Sequence, residues 1–109
     1  MAYGQTPFVI AAAPNGARKT KADVPNIPIT PAEVAQTALA CKQAGAAMMH
    51  LHVRDEDQKH SLDVGRYREM LTEVRASVGD DMVLQVTTEA VGMYSADDQM
   101  AMVRGLVPE

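Results

Sequence analysis

Three features of the sequence predict an α/β fold built on a parallel sheet. Short apolar runs begin near residues 8, 48 and 83. Each is followed by a segment with helix signals: apolar residues at 3/4 spacing, capping boxes or terminal glycines. Strand and helix therefore alternate, and such alternation favours parallel strands joined by right-handed crossovers under a layer of helices.

The first run, Phe8-Val9-Ile10-Ala11-Ala12-Ala13, stops at Pro14-Asn15-Gly16 and reads as a buried strand ending in a turn. A polar loop covers 17–29, kept out of helix by Pro25 and Pro28. Thr30-Pro31-Ala32-Glu33 then starts a helix: Thr30 caps, Pro31 suits the first helical position, and Glu33 completes a capping box. That helix is expected to reach about Ala44, with Gly45 at its end. Ala47 to Val53 forms the second strand. Val64, Tyr67, Leu71, Val74 and Val78 mark an amphipathic helix closed by Gly79. Met82 to Thr88 forms the third strand, and Ser95-Ala96-Asp97-Asp98 opens a third helix reaching about Gly105.

Strand starts at 8, 48 and 83 space the units by 40 and 35 residues. A TIM, or (β/α)8, barrel needs roughly 250 residues. The 109 residues are thus expected to be the first three βα units of a single barrel domain, its N-terminal part, truncated at Leu106-Val107-Pro108-Glu109 where a fourth strand would begin.

Composition narrows the function classes. Apolar residues at 47% and charged residues at 22% are an ordinary globular balance, so a packed core is expected. A net charge of −4 without a basic stripe argues against nucleic acid as partner. No apolar run reaches membrane-spanning length, and no signal-peptide pattern opens the chain. Cys41 is the only cysteine, so no internal disulfide can form and a reducing cytoplasm is the expected compartment. Its helical spacing from Val34 and Ala38 marks a buried structural thiol.

The chemistry centres on His50-Leu51-His52. In a strand, side chains at i and i+2 share a face, so both imidazoles can meet one ion. Neutral imidazole suits zinc and similar divalent metals; two satisfied structural histidines are the alternative. In parallel α/β folds the site lies at the carboxyl ends of the strands. There the chain places Asn15 to Lys21, then His50, His52, Arg54 and Asp55, then Thr87, Thr88 and Glu89. A catalytic zinc usually takes three protein ligands. Asp55, Glu56, Glu89 and His60 are candidates for the third, although a residue from a later strand is favoured over all four. His60 is expected to be solvent-exposed, and Asp55 and Glu56 to hold a loop or pair with Arg54. Arg18, Lys19 and Lys21 can fix an anionic group or form a solvated loop. No phosphate-binding glycine motif occurs.

Four segments resemble the β-keto acid cleavage enzymes, the family of the 3-keto-5-aminohexanoate cleavage enzyme: Ala12 to Asp23, Pro25 to Pro31, Ala44-Gly45-Ala46, and His50 to Asp55. The resemblance implies a TIM barrel with one divalent metal, usually Zn²⁺, held by His50, His52 and a glutamate of a late strand. It implies condensation of a β-keto acid with acetyl-CoA as co-substrate, the metal acting as Lewis acid and template. Deprotonation gives an enolate, the enolate carbon attacks the thioester, and retro-Claisen cleavage yields acetoacetate and a new acyl-CoA. Most acid and base groups would lie beyond residue 109. Candidate substrate-binding residues are Asn15, Arg18, Thr87, Thr88 and Glu89, and a homo-oligomer is expected.

Two departures stand out. Members acting on an amino-substituted keto acid carry a glutamate after the first strand; Arg18 stands there. Their third strand ends in a Ser-Thr-Gly-Gly type sequence, whereas this one reads Thr87-Thr88-Glu89-Ala90. Thr87 keeps a hydroxyl, and Glu89 replaces a glycine and alters local pocket shape. Amidohydrolase-type hydrolases also use His-x-His in a barrel, but typically on the first strand. Cupins match His50-x-His52 followed by Glu56, but are all-β. An inactive barrel fragment is the non-enzymatic alternative.

Overall fold

The computed structural model describes residue 4 and residues 6–106. Three strands, β1 (Ala11–Ala12), β2 (Met48–Leu51) and β5 (Val83–Val86), form a parallel sheet in the order β1-β2-β5. The register places Ala11 beside Met48 and Met48 beside Val83, and two residues on it pairs His50 with Gln85. A two-stranded antiparallel piece, β3 (Val53–Arg54) with β4 (His60–Ser61), branches off directly after β2. The helices are α1 (Pro31–Gln43), α2 (Val64–Val78) and α3 (Ala96–Leu106). The α/β class with parallel strands is therefore as expected. The approach to a fourth strand falls at 107–109, outside the described residues.

Each helix begins where its capping residues require. Thr30 Oγ1 accepts from the Glu33 N–H at 3.2 Å, and Glu33 Oε2 accepts from the Thr30 N–H at 3.0 Å, closing the capping box. Asp63 caps α2 through the Arg66 N–H, and Gly79, at φ 75°, ends it in the left-handed region that glycine tolerates. Ser95 and Asp98 exchange the same reciprocal contacts before α3. No helix among the described residues is long and apolar enough to cross a membrane.

Met49 and Leu51 of β2 point into the core with Val34 and Ala38 of α1, Tyr67, Met70, Val74 and Val78 of α2, and Met102 of α3. Met48 and His50 alternate to the opposite face. Cys41 is half-buried against the same core, in keeping with a structural thiol.

Three expectations require correction. The first strand is expected over Phe8–Ala13 and buried, but the strand covers only Ala11–Ala12, with the Ile10 carbonyl accepting from the Ala47 N–H, and Phe8 is 81% exposed. Among the described residues β1 is an edge strand with one partner, so Phe8, Val9 and Ile10 gain neither a second ladder nor helix cover. The second strand, expected through Val53, ends at Leu51, because Val53 and Arg54 turn to pair with Ser61 and His60. The expected third strand, 82–88, shortens to Val83–Val86, since Thr87 to Ala90 leave the ladder to form a loop.

The α1 cap carries a pH signature. Lys21 Nζ lies 2.9 Å from Glu33 Oε1. The Lys21 contact, with the Ile29 and Thr30 N–H groups, lowers the Glu33 carboxyl from 4.5 to about 2. The folded state binds that proton more weakly than the unfolded chain, so the contribution is complete above pH 4.5 and fades as pH falls toward 2. The carboxylate is 38% exposed, which keeps the ion-pair share small. Glu33→Gln is expected to cost about 1 kcal/mol at neutral pH and to flatten the acid limb of stability. Urea unfolding repeated from neutral to acid pH checks this; an unchanged acid limb would contradict the assignment.

Candidate functional site

The carboxyl ends of the three parallel strands converge on His50 and His52. His50 sits on the open face of β2 and His52 just beyond its end, and their rings meet edge-on with centroids 5.0 Å apart. The i, i+2 spacing therefore does bring both imidazoles to one side. His50 Nδ1 lies 2.7 Å from Oε1 of Gln85, its register partner on β5. His52 Nε2 lies 3.1 Å from Glu89 Oε2, in the loop after β5. Burial holds His52 below the ordinary histidine range, with the Glu89 hydrogen bond working in the opposite sense. Burial lowers His60 as well. Neutral imidazole is the metal-binding form.

These residues fit a divalent metal in chemistry and in part in number. Each imidazole has one ring nitrogen engaged by an oxygen acceptor, the outer-shell arrangement typical of metal-ligating histidines. His52 Nδ1 is buried without a partner among the described residues. No group of three His, Cys, Asp or Glu side chains among the described residues is arranged to hold a metal, so these residues offer two candidate ligands of the three that a catalytic zinc usually takes.

The expected exposure of His60 is overturned: it is 3% exposed. Its ring packs edge-on against His52 at 5.6 Å, its Nε2 donates to the Glu89 carbonyl at 2.9 Å, and β4 carries it inward. Of the two roles expected for Asp55 and Glu56, Asp55 does hold its loop, and neither carboxylate pairs with Arg54. Glu56 pairs with Arg66, and Asp55 Oδ1 caps its own turn through the Asp57 and Lys59 N–H groups. Arg54 is instead buried, donating to the carbonyls of Asn15, Gly16, Lys19 and Gln58. This guanidinium ties the loop after β1 to the β3–β4 turn.

Among the remaining candidates, Asn15 is buried and donates through Nδ2 to the His52 carbonyl at 3.0 Å, with Oδ1 unpartnered among the described residues. Thr87 Oγ1 accepts from the Glu89 N–H at 3.1 Å, and the Thr88 carbonyl accepts from Gln99 at 2.6 Å. Lys21 is committed to Glu33 and to the Ile27 carbonyl, while Arg18 and Lys19 stay exposed. Val91, at φ 46°, holds a conformation that branched residues rarely adopt, inside the turn that the Met93 and Tyr94 N–H groups close on the Ala90 carbonyl. Gln85 escaped the sequence reading. Its signal was available: it is the single polar residue in Met82 to Val86 and shares parity with His50 across the ladder.

A family model described as beta-keto acid cleavage enzyme matches residues 7–109. The chain belongs to the β-keto acid cleavage enzyme family. It is 38% identical over 86 residues to the 3-keto-5-aminohexanoate cleavage enzyme of Fusobacterium nucleatum, a match covering 79% of this chain and 32% of that protein. Identity is again 38%, over 81 residues, to the 3,5-dioxohexanoate:acetyl-CoA acetone transferase of Paraburkholderia graminis, covering 73% of this chain and 26% of that protein. The 3-oxoadipate:acetyl-CoA acetyltransferase of Cupriavidus necator is 33% identical over 103 residues, covering 87% of this chain and 36% of that protein. The chain thus spans about a quarter to a third of the length of these β-keto acid relatives.

Proposed function

We propose that these residues are the opening three βα units of a (β/α)8 barrel enzyme that exchanges acyl groups between a β-keto acid and acetyl-CoA. The products are acetoacetate and the acyl-CoA of the keto acid's remaining part. The observation that carries this reading is the imidazole pair at the strand ends, within a chain that belongs to this family from residue 7 onward. Open flanks on β1 and β5, with exposed Phe8, Val9, Ile10 and Val83, support a sheet that further strands continue.

His50 and His52 would hold the divalent metal, zinc by donor type, with the third ligand from a later strand. When bound, the metal supplies Lewis acidity toward the carbonyl and carboxylate of the keto acid. Thr87 keeps its hydroxyl proton free while accepting from Glu89, so it can donate to a substrate oxygen. Thr88 and Asn15 frame the same end of the sheet. Glu89, 40% exposed at the side chain, brings negative charge to the pocket rim.

Arg18, exposed in the loop after β1, would favour a neutral or anionic keto-acid side chain and repel an ammonium. Arg18→Glu is expected to shift the ratio of kcat/KM values toward amino keto acids by about tenfold, equivalent to one charge contact of roughly 1.4 kcal/mol. Paired assays on an amino keto acid and a dicarboxylic one check this, and an unchanged ratio would contradict it. The reading as a whole is tested by acetoacetate release from acetyl-CoA across a panel of β-keto acids. Amide hydrolysis without consumption of acetyl-CoA would refute it.

A further inference from the structure

Glu89 is held at three points. Its N–H donates to Thr87 Oγ1 at 3.1 Å, its carbonyl accepts from His60 Nε2 at 2.9 Å, and its carboxylate lies 3.1 Å from His52 Nε2. His60 is fixed in turn, buried, with its carbonyl accepting from the Tyr94 hydroxyl at 3.4 Å. An ionised carboxylate only accepts, so His52 donates through Nε2–H and carries its lone pair on Nδ1. That Nδ1 is buried and unpartnered among the described residues. At His50 the order is reversed: Nδ1 faces the acceptor oxygen of Gln85 at 2.7 Å, which leaves the lone pair on Nε2.

We propose that Glu89 is a positioning residue of the metal centre, fixing His52 in its Nε2–H form so that Nδ1 is the nitrogen offered to a divalent cation, while Gln85 fixes His50 to offer Nε2. This rests on the reading of the pair as metal ligands. His60 serves the same end by clamping the Glu89 backbone, which accounts for a buried histidine in a polar loop. A carboxylate on the far nitrogen also raises the basicity of the ligating one.

The test uses the complete chain with isotopically labelled histidine, read by long-range proton–nitrogen correlation spectra. In the metal-free protein His52 is expected to show a protonated Nε2 and a bare Nδ1. Glu89→Ala should abolish that preference and weaken Zn²⁺ binding by about 10–100-fold. Glu89→Gln, whose amide oxygen still accepts, should restore most of both. Adding Zn²⁺ to the parent should shift Nδ1 of His52 and Nε2 of His50. A protonated Nδ1 on His52, a zinc shift at its Nε2, or a Glu89→Ala protein with parental tautomer and affinity would overturn the proposal. A parent that binds no zinc would refute the metal reading alone, because the metal-free tautomer comparison still decides the role of Glu89.

Discussion

On the proposed metal reading, replacing His50 by alanine is expected to abolish binding of a divalent ion and to lower kcat/KM by roughly a thousandfold. The magnitude follows from the several kcal/mol that a Lewis-acid metal supplies, about 4 kcal/mol being near a thousandfold in rate. The loss of affinity should exceed the 10–100-fold that removal of an outer-shell partner costs. His50 is the cleaner of the two positions. It is half-buried on the open face of β2 and its side chain contacts Gln85 rather than the helix-packed core, so the fold should survive. His52→Ala should lose the metal equally but also opens a hole beside His60, because that ring is 5% exposed. Metal content by elemental analysis, with unfolding curves recorded on the same samples, separates the two effects. A His50→Ala protein that keeps its metal would remove this histidine from the site.

Arg54→Met is expected to be the most destabilising change outside the apolar core, at about 3–5 kcal/mol. Its guanidinium donates to four carbonyls at 2.7 to 3.0 Å, from two loops that are also linked by the Lys21 N–H donating to Gln58 Oε1. Hydrogen bonds from a charged donor contribute roughly 1.5–3 kcal/mol each, and partial rehydration of the loop carbonyls offsets some of the sum. Methionine keeps the stem packing, so the loss reports the head group. Lysine should recover only a small part, since an ammonium on a flexible stem cannot reproduce the planar fork. Urea midpoints at unchanged m-value give the answer. A cost below about 1 kcal/mol would mean that the loops hold their shape without the clamp. The functional consequence is local: Asn15, one of the anchored residues, bonds the His52 carbonyl, so loosening the loop should also disturb the imidazole pair.

The sequence made the regular elements legible because their signals are local. The Thr30–Glu33 and Ser95–Asp98 boxes lie within one turn of chain and fixed two helix starts to the residue. His50 and His52 were legible for the same reason, since strand parity places i and i+2 together. What escaped depends on contacts 29 to 39 residues apart. Arg54 reaches Asn15 across 39 positions and His60 reaches the Glu89 carbonyl across 29, and no periodicity records either. The β3–β4 pair was hidden by its length of two residues a side and by the charge of the turn between them. The first strand was over-extended because an apolar run reads as buried wherever it occurs; among the described residues, Phe8, Val9 and Ile10 lie on an edge with one neighbour.

The imidazole pair is proposed to serve a carbon–carbon exchange between a β-keto acid and acetyl-CoA. The most direct test of that role follows acetyl-CoA isotopically labelled at the acetyl carbonyl through a single reaction. In the proposed reaction the enolate carbon of the keto acid would attack that carbonyl, so the label is predicted to leave in acetoacetate, at its keto carbon, while the new acyl-CoA carries none. Label retained in a CoA thioester, or released as acetate, would contradict the account.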